Sequence, residues 1–249
     1  MDMTERDVLM EFLKTPIDST ERIFEKFLDI PGTARYGSGL EQILYKKGER
    51  ENPVLLVAHA DTVWDAEYMN GDVTTGDVVE KDGIISNTIG GLGADDRAGC
   101  AMIWLLQDIG HSILITNGEE HGRLGSCYLR DKCPDIYEEI NSVHQFAIQL
   151  DRRNAADYKC YGVGTDQFRN HIEDVTGFTE PDRRASTDIV TLCRNICGVN
   201  LSVGYYNEHT SEEYLIYPEW EDTLNLCRDW LSREELPLFE LKSESPSGR

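Results

Sequence analysis

Basic side chains are in short supply. The 249 residues carry 24 Lys and Arg against 46 Asp and Glu, a net charge of −22. Such a surface repels phosphate backbones and anionic lipid, which argues against nucleic acid and membranes as partners. Long apolar runs are missing as well. None approaches the ~20 residues of a membrane-spanning helix. The opening Met1-Asp2-Met3-Thr4-Glu5-Arg6-Asp7 is polar, unlike a secretion signal. The seven cysteines are scattered and form no CxxC pair. An odd count without a signal peptide reads as reduced thiols in a cytoplasmic protein. Cys193 and Cys197 stand one helical turn apart and are read as buried structural thiols rather than a zinc pair. Internal repeats and inter-domain linkers are also lacking.

What remains is 40% hydrophobic and 28% charged, which suits one α/β domain with a sizeable core. The domain is expected to span residues 1–240, followed by a disordered tail at 241–249. Val8, Leu9, Met10, Phe12 and Leu13, then Ile23, Phe24, Phe27 and Leu28, have helical spacing. Asp18-Ser19-Thr20 offers a cap for the second helix, and Pro31-Gly32 stops it. Gln42-Ile43-Leu44-Tyr45 is a strand candidate. Pro53-Val54-Leu55-Leu56-Val57-Ala58 is a stronger one, apolar without alternation, as in a central strand covered on both faces. Residues 78–85 read as a hairpin turning at Asp82-Gly83. Further helices are expected at 97–107, at 125–130 with Pro134 as terminator, at 167–175, 186–196 and 220–231. Strands are expected at 113–116, 146–150 and, as the last, 199–205. Strands alternating with helices imply a mainly parallel, mixed sheet sandwiched by helices, a three-layer αβα architecture.

The chemistry gathers at element ends. Ile113-Leu114-Ile115-Thr116-Asn117 reads as a buried strand and runs into Gly118-Glu119-Glu120-His121-Gly122. Neighbours in a strand face opposite ways, but at a strand end both acids can face one cavity. Two carboxylates there are costly unless a positive charge lies between them. The strand before His59-Ala60-Asp61, the turn at Asp95-Asp96 and the strand ending at Asp151 repeat the pattern, and His209 follows the last strand. In open α/β sheets the site lies outside the carboxyl ends of the strands. Two His with several carboxylates and no Cys suit divalent metals, zinc first, with manganese or cobalt as alternatives. Two metals with a bridging carboxylate need five ligands, and His59, Asp95, Glu120, Asp151 and His209 supply them. Asp61 is placed to accept the other imidazole proton of His59. Glu119 is placed to take a proton from metal-bound water. Singly each piece has a blander explanation: Asp95 or Asp96 as a helix cap, His59 as a structural histidine, Asp151 in a surface ion pair. His111, His121, His144 and His171 are read as structural.

The segments Ala58-His59-Ala60-Asp61-Thr62-Val63, Gly93-Ala94-Asp95-Asp96-Arg97-Ala98-Gly99, Asn117-Gly118-Glu119-Glu120-His121-Gly122, Gln149-Leu150-Asp151-Arg152 and Glu208-His209-Thr210 follow one another in a known order. From residue 53 to about 231 the chain resembles the co-catalytic dizinc exopeptidases: bacterial leucyl aminopeptidases, peptidase T and carboxypeptidase G. The resemblance implies that His59 and Asp151 hold one metal, Glu120 and His209 the other, with Asp95 bridging. It implies Glu119 as general base, Asp61 as support for His59, and a cis peptide at Asp95–Asp96. The motif wording leans to peptidase T. The lid and dimerisation domain of that branch has no room between Asp151 and His209, where a strand, two helices and another strand are expected.

The implied activity is hydrolysis of a peptide or related amide, with an aminopeptidase as first form. A carboxypeptidase or N-acyl amino acid amidohydrolase is the alternative. An aminopeptidase needs an anion for the substrate ammonium, for which Asp166 and Asp188 are candidates, although both also suit helix capping. A carboxypeptidase needs a cation, for which Arg152, Arg169, Arg183 and Arg184 are candidates. A scaffold that has kept the fold without catalysis ranks lower, because no ligand position is lost. An enzyme of a non-peptide amide and the oligomeric state are left open.

Overall fold

The computed structural model describes residues 3–17, 19–64, 77–181 and 186–241. The centre is a seven-stranded sheet in the order β1-β2-β6-β3-β7-β9-β8. Its strands are β1 (Thr33–Ser38), β2 (Glu41–Lys46), β3 (Leu55–His59), β6 (Ser112–Thr116), β7 (Ala147–Arg152), β8 (Tyr158–Lys159) and β9 (Gly198–Ser202). The inner four, β6, β3, β7 and β9, run parallel, and the outer pairings are antiparallel. All five residues of β3 are buried. Leu56 and Ala58 join one core, with Ile113, Ile115, Ile148 and Leu150 from the neighbouring strands. Leu55 and Val57 join a second core on the opposite face, with Leu114 and Ala147. Period-two alternation with both faces covered is why this strand reads as an unbroken apolar run.

Helices close both faces. The first core is covered by α1 (Glu5–Leu13), α2 (Thr20–Leu28), α3 (Ala94–Leu106) and, later in the chain, α8 (Tyr217–Leu231). The second is covered by α4 (Leu124–Lys132), α5 (Pro134–Val143) and α7 (Asp188–Leu192). The remaining helix, α6 (Asp166–Thr176), packs Phe168 and Ile172 into the first core. The expected αβα layering is therefore the observed one. Thr4 caps α1 through a reciprocal capping box with Asp7. The cap expected from Asp18 lies outside the described residues, and Ser19 makes no side-chain cap bond to α2.

Several elements differ from the sequence reading. Pro134 does not simply end a helix; it opens α5 at the first helical position, where its missing N–H costs nothing. The helix expected at 186–196 shrinks to the five residues of α7, because Cys193 turns extended. Its core is the β-branched run Ile189-Val190-Thr191, a weak helix former. Cys193 and Cys197 are therefore not on one helical face, but both are buried, and all seven cysteines are unpaired. The strand expected at 199–205 is split into β9 and the short β10 (Tyr205–Tyr206). With β11 (Tyr214–Ile216), β5 (Ile84–Asn87) and β4 (Val78–Lys81), β10 forms a second, antiparallel sheet that the sequence did not announce. The expected hairpin is its β4–β5 pair, with Asp82 and Gly83 at positive φ in the turn. Leu241 donates its N–H to Asn195, so chain expected in the tail begins docked; residues 242–249 lie outside the described ones. Among the described residues no helix is long and apolar enough to cross a membrane.

Candidate metal centre

The parallel strands bring their carboxyl ends to one level. His59 ends β3 directly opposite Thr116, which ends β6. Asp151 sits one residue from the end of β7. Gly118, at φ 72°, then turns the chain after β6 so that Glu119 and Glu120 face the same cleft. From the other side comes the start of α3, where the Asp95–Asp96 peptide is cis and both residues depart from helical angles. The loop between β10 and β11 delivers His209, at φ 63°. Asp95, Glu119, Glu120, Asp151 and His209 all line one cleft of about 150 Å³.

Asp95 is central. Its Oδ1 lies 3.1 Å from Nε2 of His59, and its Oδ2 lies 3.2 Å from Nε2 of His209. The same His59 nitrogen is 3.5 Å from Oδ1 of Asp151. The same His209 nitrogen is 3.0 Å from Oε1 of Glu120. The two histidines thus each face one private carboxylate and share Asp95. One donor atom from each of His59, Asp95 and Glu120 falls within 4.8 Å of the others, as does one from each of His59, Asp96 and Asp151. Asp96 is already committed, however. It accepts the N–H of Gly99 and that of His59, both at 3.1 Å, so it caps α3 and pins β3 to it. The approach is tight: a Cβ on Gly99 would stand 1.9 Å from the Leu150 carbonyl.

Asp61 does two jobs, one of them unexpected. Nδ1 of His59 donates to the Asp61 main-chain carbonyl at 2.9 Å, and the carboxylate stands off at 3.5 Å. The carboxylate oxygens instead accept the N–H groups of Glu119 and Glu120, each at 3.2 Å. Asp61 therefore supports the acidic pair as directly as it supports the histidine. Asp151 is held by Gln149 and Thr187, each donating at 2.9 Å, and Asn200 brackets its backbone. Glu213, which the sequence reading left without a role, is 2% exposed and accepts N–H bonds from Gly93 (2.8 Å), Asp95 (3.1 Å) and Trp64 (3.3 Å). It ties the His209 loop to the start of α3. Its place four residues after His209, in a second adjacent pair of acids, was the available signal.

The electrostatics follow from crowding. Burial, reinforced by Asp151, Asp188 and Asp95, raises Glu119 to about 9, against the opposing charge of His59. Burial and the Asp95 charge raise Asp151 to about 7. Burial opposes protonation of His59, but the Asp151, Asp61 and Asp95 carboxylates outweigh it and raise the imidazole well above its usual range. The Asp95 and Glu120 carboxylates beside its Nε2 raise His209 to about 11.

The specificity candidates fare unevenly. Asp166 is exposed at the start of α6, where Thr165 is the cap, and does not reach the cleft. Asp188 is fully buried, accepts the Thr116 hydroxyl and does not line the cleft either. Arg169 is spent on Glu180 and on the carbonyls of Gly164 and Tyr161. Arg183 and Arg184 lie outside the described residues. Arg152 lines the cleft, and so do Arg153 and Glu208, which the sequence reading did not select. Of the four histidines read as structural, His111 and His144 are buried and bonded to backbone, and His171 packs against Phe239 and Trp230. His121 stands 3.9 Å from Asp61.

No protein-family model matches the chain, and no curated protein matches it either. Solved structures do. It superposes on aminopeptidase PepT from Bacillus cereus with a TM-score of 0.63 at 16% identity, covering 93% of this chain and 98% of that one. A tripeptidase from Staphylococcus aureus gives 0.62 at 13% identity, over 92% and 99%. The TET1 peptidase of Pyrococcus horikoshii, which assembles into a tetrahedron or a large octahedral shell, gives 0.57 at 14%, over 90% and 98%. The chain shares the fold of these peptidases. Between Asp151 and His209 the described residues hold only β8, α6, α7, β9 and β10.

Proposed function

We propose that this chain is a metal-dependent hydrolase of peptide or related amide bonds, an exopeptidase whose first form is an aminopeptidase. The observation that carries the reading is the position of Asp95, with one carboxylate oxygen on each histidine. His59 and Asp151 would hold one divalent ion, His209 and Glu120 the other, and Asp95 would be shared.

The residues fit such ions. With its Nδ1 proton on the Asp61 carbonyl, His59 turns Nε2 toward carboxylate oxygens of Asp95 and Asp151, which hold a proton there when no ion takes its place. Carboxylates gathered in a buried site demand positive charge among them, which a divalent ion in place of that proton would supply. Glu120 Oε1 is likewise buried without a hydrogen-bond donor of good geometry. An all-His and carboxylate donor set suits zinc, with manganese or cobalt as alternatives. Bound there, two ions would acidify a water and polarise the substrate carbonyl.

The protein's own groups do the rest. Glu119 lines the cleft, and with cations offsetting the neighbouring carboxylates that hold its proton it would be ionised and able to accept the proton of the attacking water. It then returns that proton to the departing amine. Asp61 holds the turn that carries Glu119 and Glu120 through their backbone N–H groups, and thereby places both base and ligand against the cleft. Glu119→Gln tests the assignment. Turnover of free dipeptides should fall about 10²–10⁴-fold while the metal content stays that of the wild type. Near-normal turnover would show that the base is elsewhere. The carboxypeptidase or amidohydrolase alternative draws support from the arginines on the cleft wall, because each such substrate presents a carboxylate.

A further inference from the structure

Two charged side chains on the cleft wall take no part in that chemistry. Arg153 follows Asp151 by two positions, just beyond the end of β7, and so continues the same face of the chain. Glu208 immediately precedes His209. Nη1 of Arg153 lies 2.6 Å from Oε1 of Glu208. The pair is not symmetric in exposure: the Arg153 side chain is 34% exposed and that of Glu208 is 12%. The guanidinium is therefore the member presented to a ligand, with the carboxylate behind it. A guanidinium carries five N–H donors, and among the described residues Glu208 is the one side-chain partner of Arg153. Arg152, the other arginine of the cleft, is 6% exposed and directed toward Asp157 at 3.7 Å.

The surroundings decide what such a cation can select. Apart from Arg152 and His209, the charged groups around the cleft are the carboxylates of Asp95, Glu119, Glu120, Asp151 and Glu208. An anionic substrate group is repelled by all of these and is accommodated at Arg153. We propose that Arg153 anchors the free C-terminal carboxylate of a short peptide, and that Glu208 is a positioning residue that holds the guanidinium for it. The proposal rests on the peptidase reading above and names its substrate class. Residues two apart in an extended chain are roughly 7 Å apart. A carboxylate one residue beyond the scissile bond falls within that span of Asp151, whereas each further residue moves it about 3.5 Å away. Dipeptides, and tripeptides less well, are therefore the substrates of choice. The second edge of the guanidinium offers two parallel donors, the geometry that a carboxylate matches.

Calorimetric titration of zinc-supplied Glu119→Gln protein with alanylalanine and with its C-terminal amide tests this without turnover. The free acid is expected to bind at least tenfold more tightly than the amide. Adding Arg153→Gln, or Arg153→Ala should the first variant fold poorly, is expected to bring the ratio to about one. Glu208→Gln is expected to lower the ratio to an intermediate value, a change that a merely structural defect, weakening both ligands alike, would not produce. A ratio near one in the parent protein, a ratio that survives both Arg153 variants, or no binding of either ligand overturns the proposal. Wild-type turnover is scored separately. A dipeptide bound through its carboxylate but never cleaved would overturn the hydrolase reading and leave the anchor standing.

Discussion

The two halves of the proposed metal centre are built differently. His59 and Asp151 belong to the central strands β3 and β7, and their side chains are 1% and 8% exposed. His209 comes from a loop, in the left-handed region, with its side chain 48% exposed. Its partner Glu120 sits in the turn after β6 and is 8% exposed. One half is thus fixed by the packing of the sheet, while the other depends on two loops meeting across Asp95. A site on rigid elements is positioned by the whole core; a site on loops is positioned by the few bonds that hold the loops. Here those bonds run through Asp61, under the acidic turn, and Glu213, under the His209 loop.

That contrast can be broken by mutation. In chelator, so that metal does not contribute, His59→Ala should destabilise the protein by about 2–4 kcal/mol, because it leaves buried carboxylates unpaired. His209→Ala, half exposed, should cost about 1 kcal/mol or less. Equal losses in denaturant melts would show that the two halves are equally embedded. A smaller effect is expected at Glu213. Glu213→Gln keeps one acceptor and loses the other, loosening the loop half, and should weaken uptake of one ion about 10–100-fold while leaving the other tight. Competition with a chelating dye separates the two ions. Two ions weakened alike would place Glu213 under the whole site instead.

A further effect lies away from the cleft and serves as a control on the sheet. His111 accepts the Val54 N–H on Nδ1 and stands 3.0 Å from the Leu231 carbonyl through Nε2, an arrangement only the neutral ring satisfies. Burial lowers His111, and His144 likewise, to about 4. A folded-state value below the ordinary 6.5 means that the unfolded chain takes up protons first as pH falls. Stability held at pH 7 should be lost between about pH 6.5 and 4, by at most on the order of 3 kcal/mol per histidine. Melts in chelator should show a shallower fall across that window for His111→Gln/His144→Gln. An identical fall would assign the pH dependence to the carboxylates of the cleft.

The rigid half was also the legible half. β3, β6 and β7 are apolar runs covered on both faces, and such runs stand out in sequence; an acid or imidazole at their ends is anomalous and so informative. The αβα layering followed from the same runs. What stayed hidden depends on contacts between distant residues. β8, β10 and β11 are two or three residues long, too short for any periodicity. Helix α7 stops where β-branched residues and an extended Cys193 take over, a boundary that an apolar pattern does not mark. Arg153 and Glu208 are 55 positions apart and look like solvated charges until the fold brings them together. Asp166 and Asp188 looked like substrate anions for the opposite reason: their residue type was right, and their direction was unreadable.

The most direct measurement is the metal content of the purified protein beside that of His209→Ala, by elemental analysis after exposure to zinc or manganese. A centre shared through Asp95 predicts about two ions per chain in the wild type and about one in the variant, because the strand half keeps its ligands. No bound metal in the wild type, and none taken up on addition, would contradict it and leave a fold that has kept its acids and imidazoles without using them.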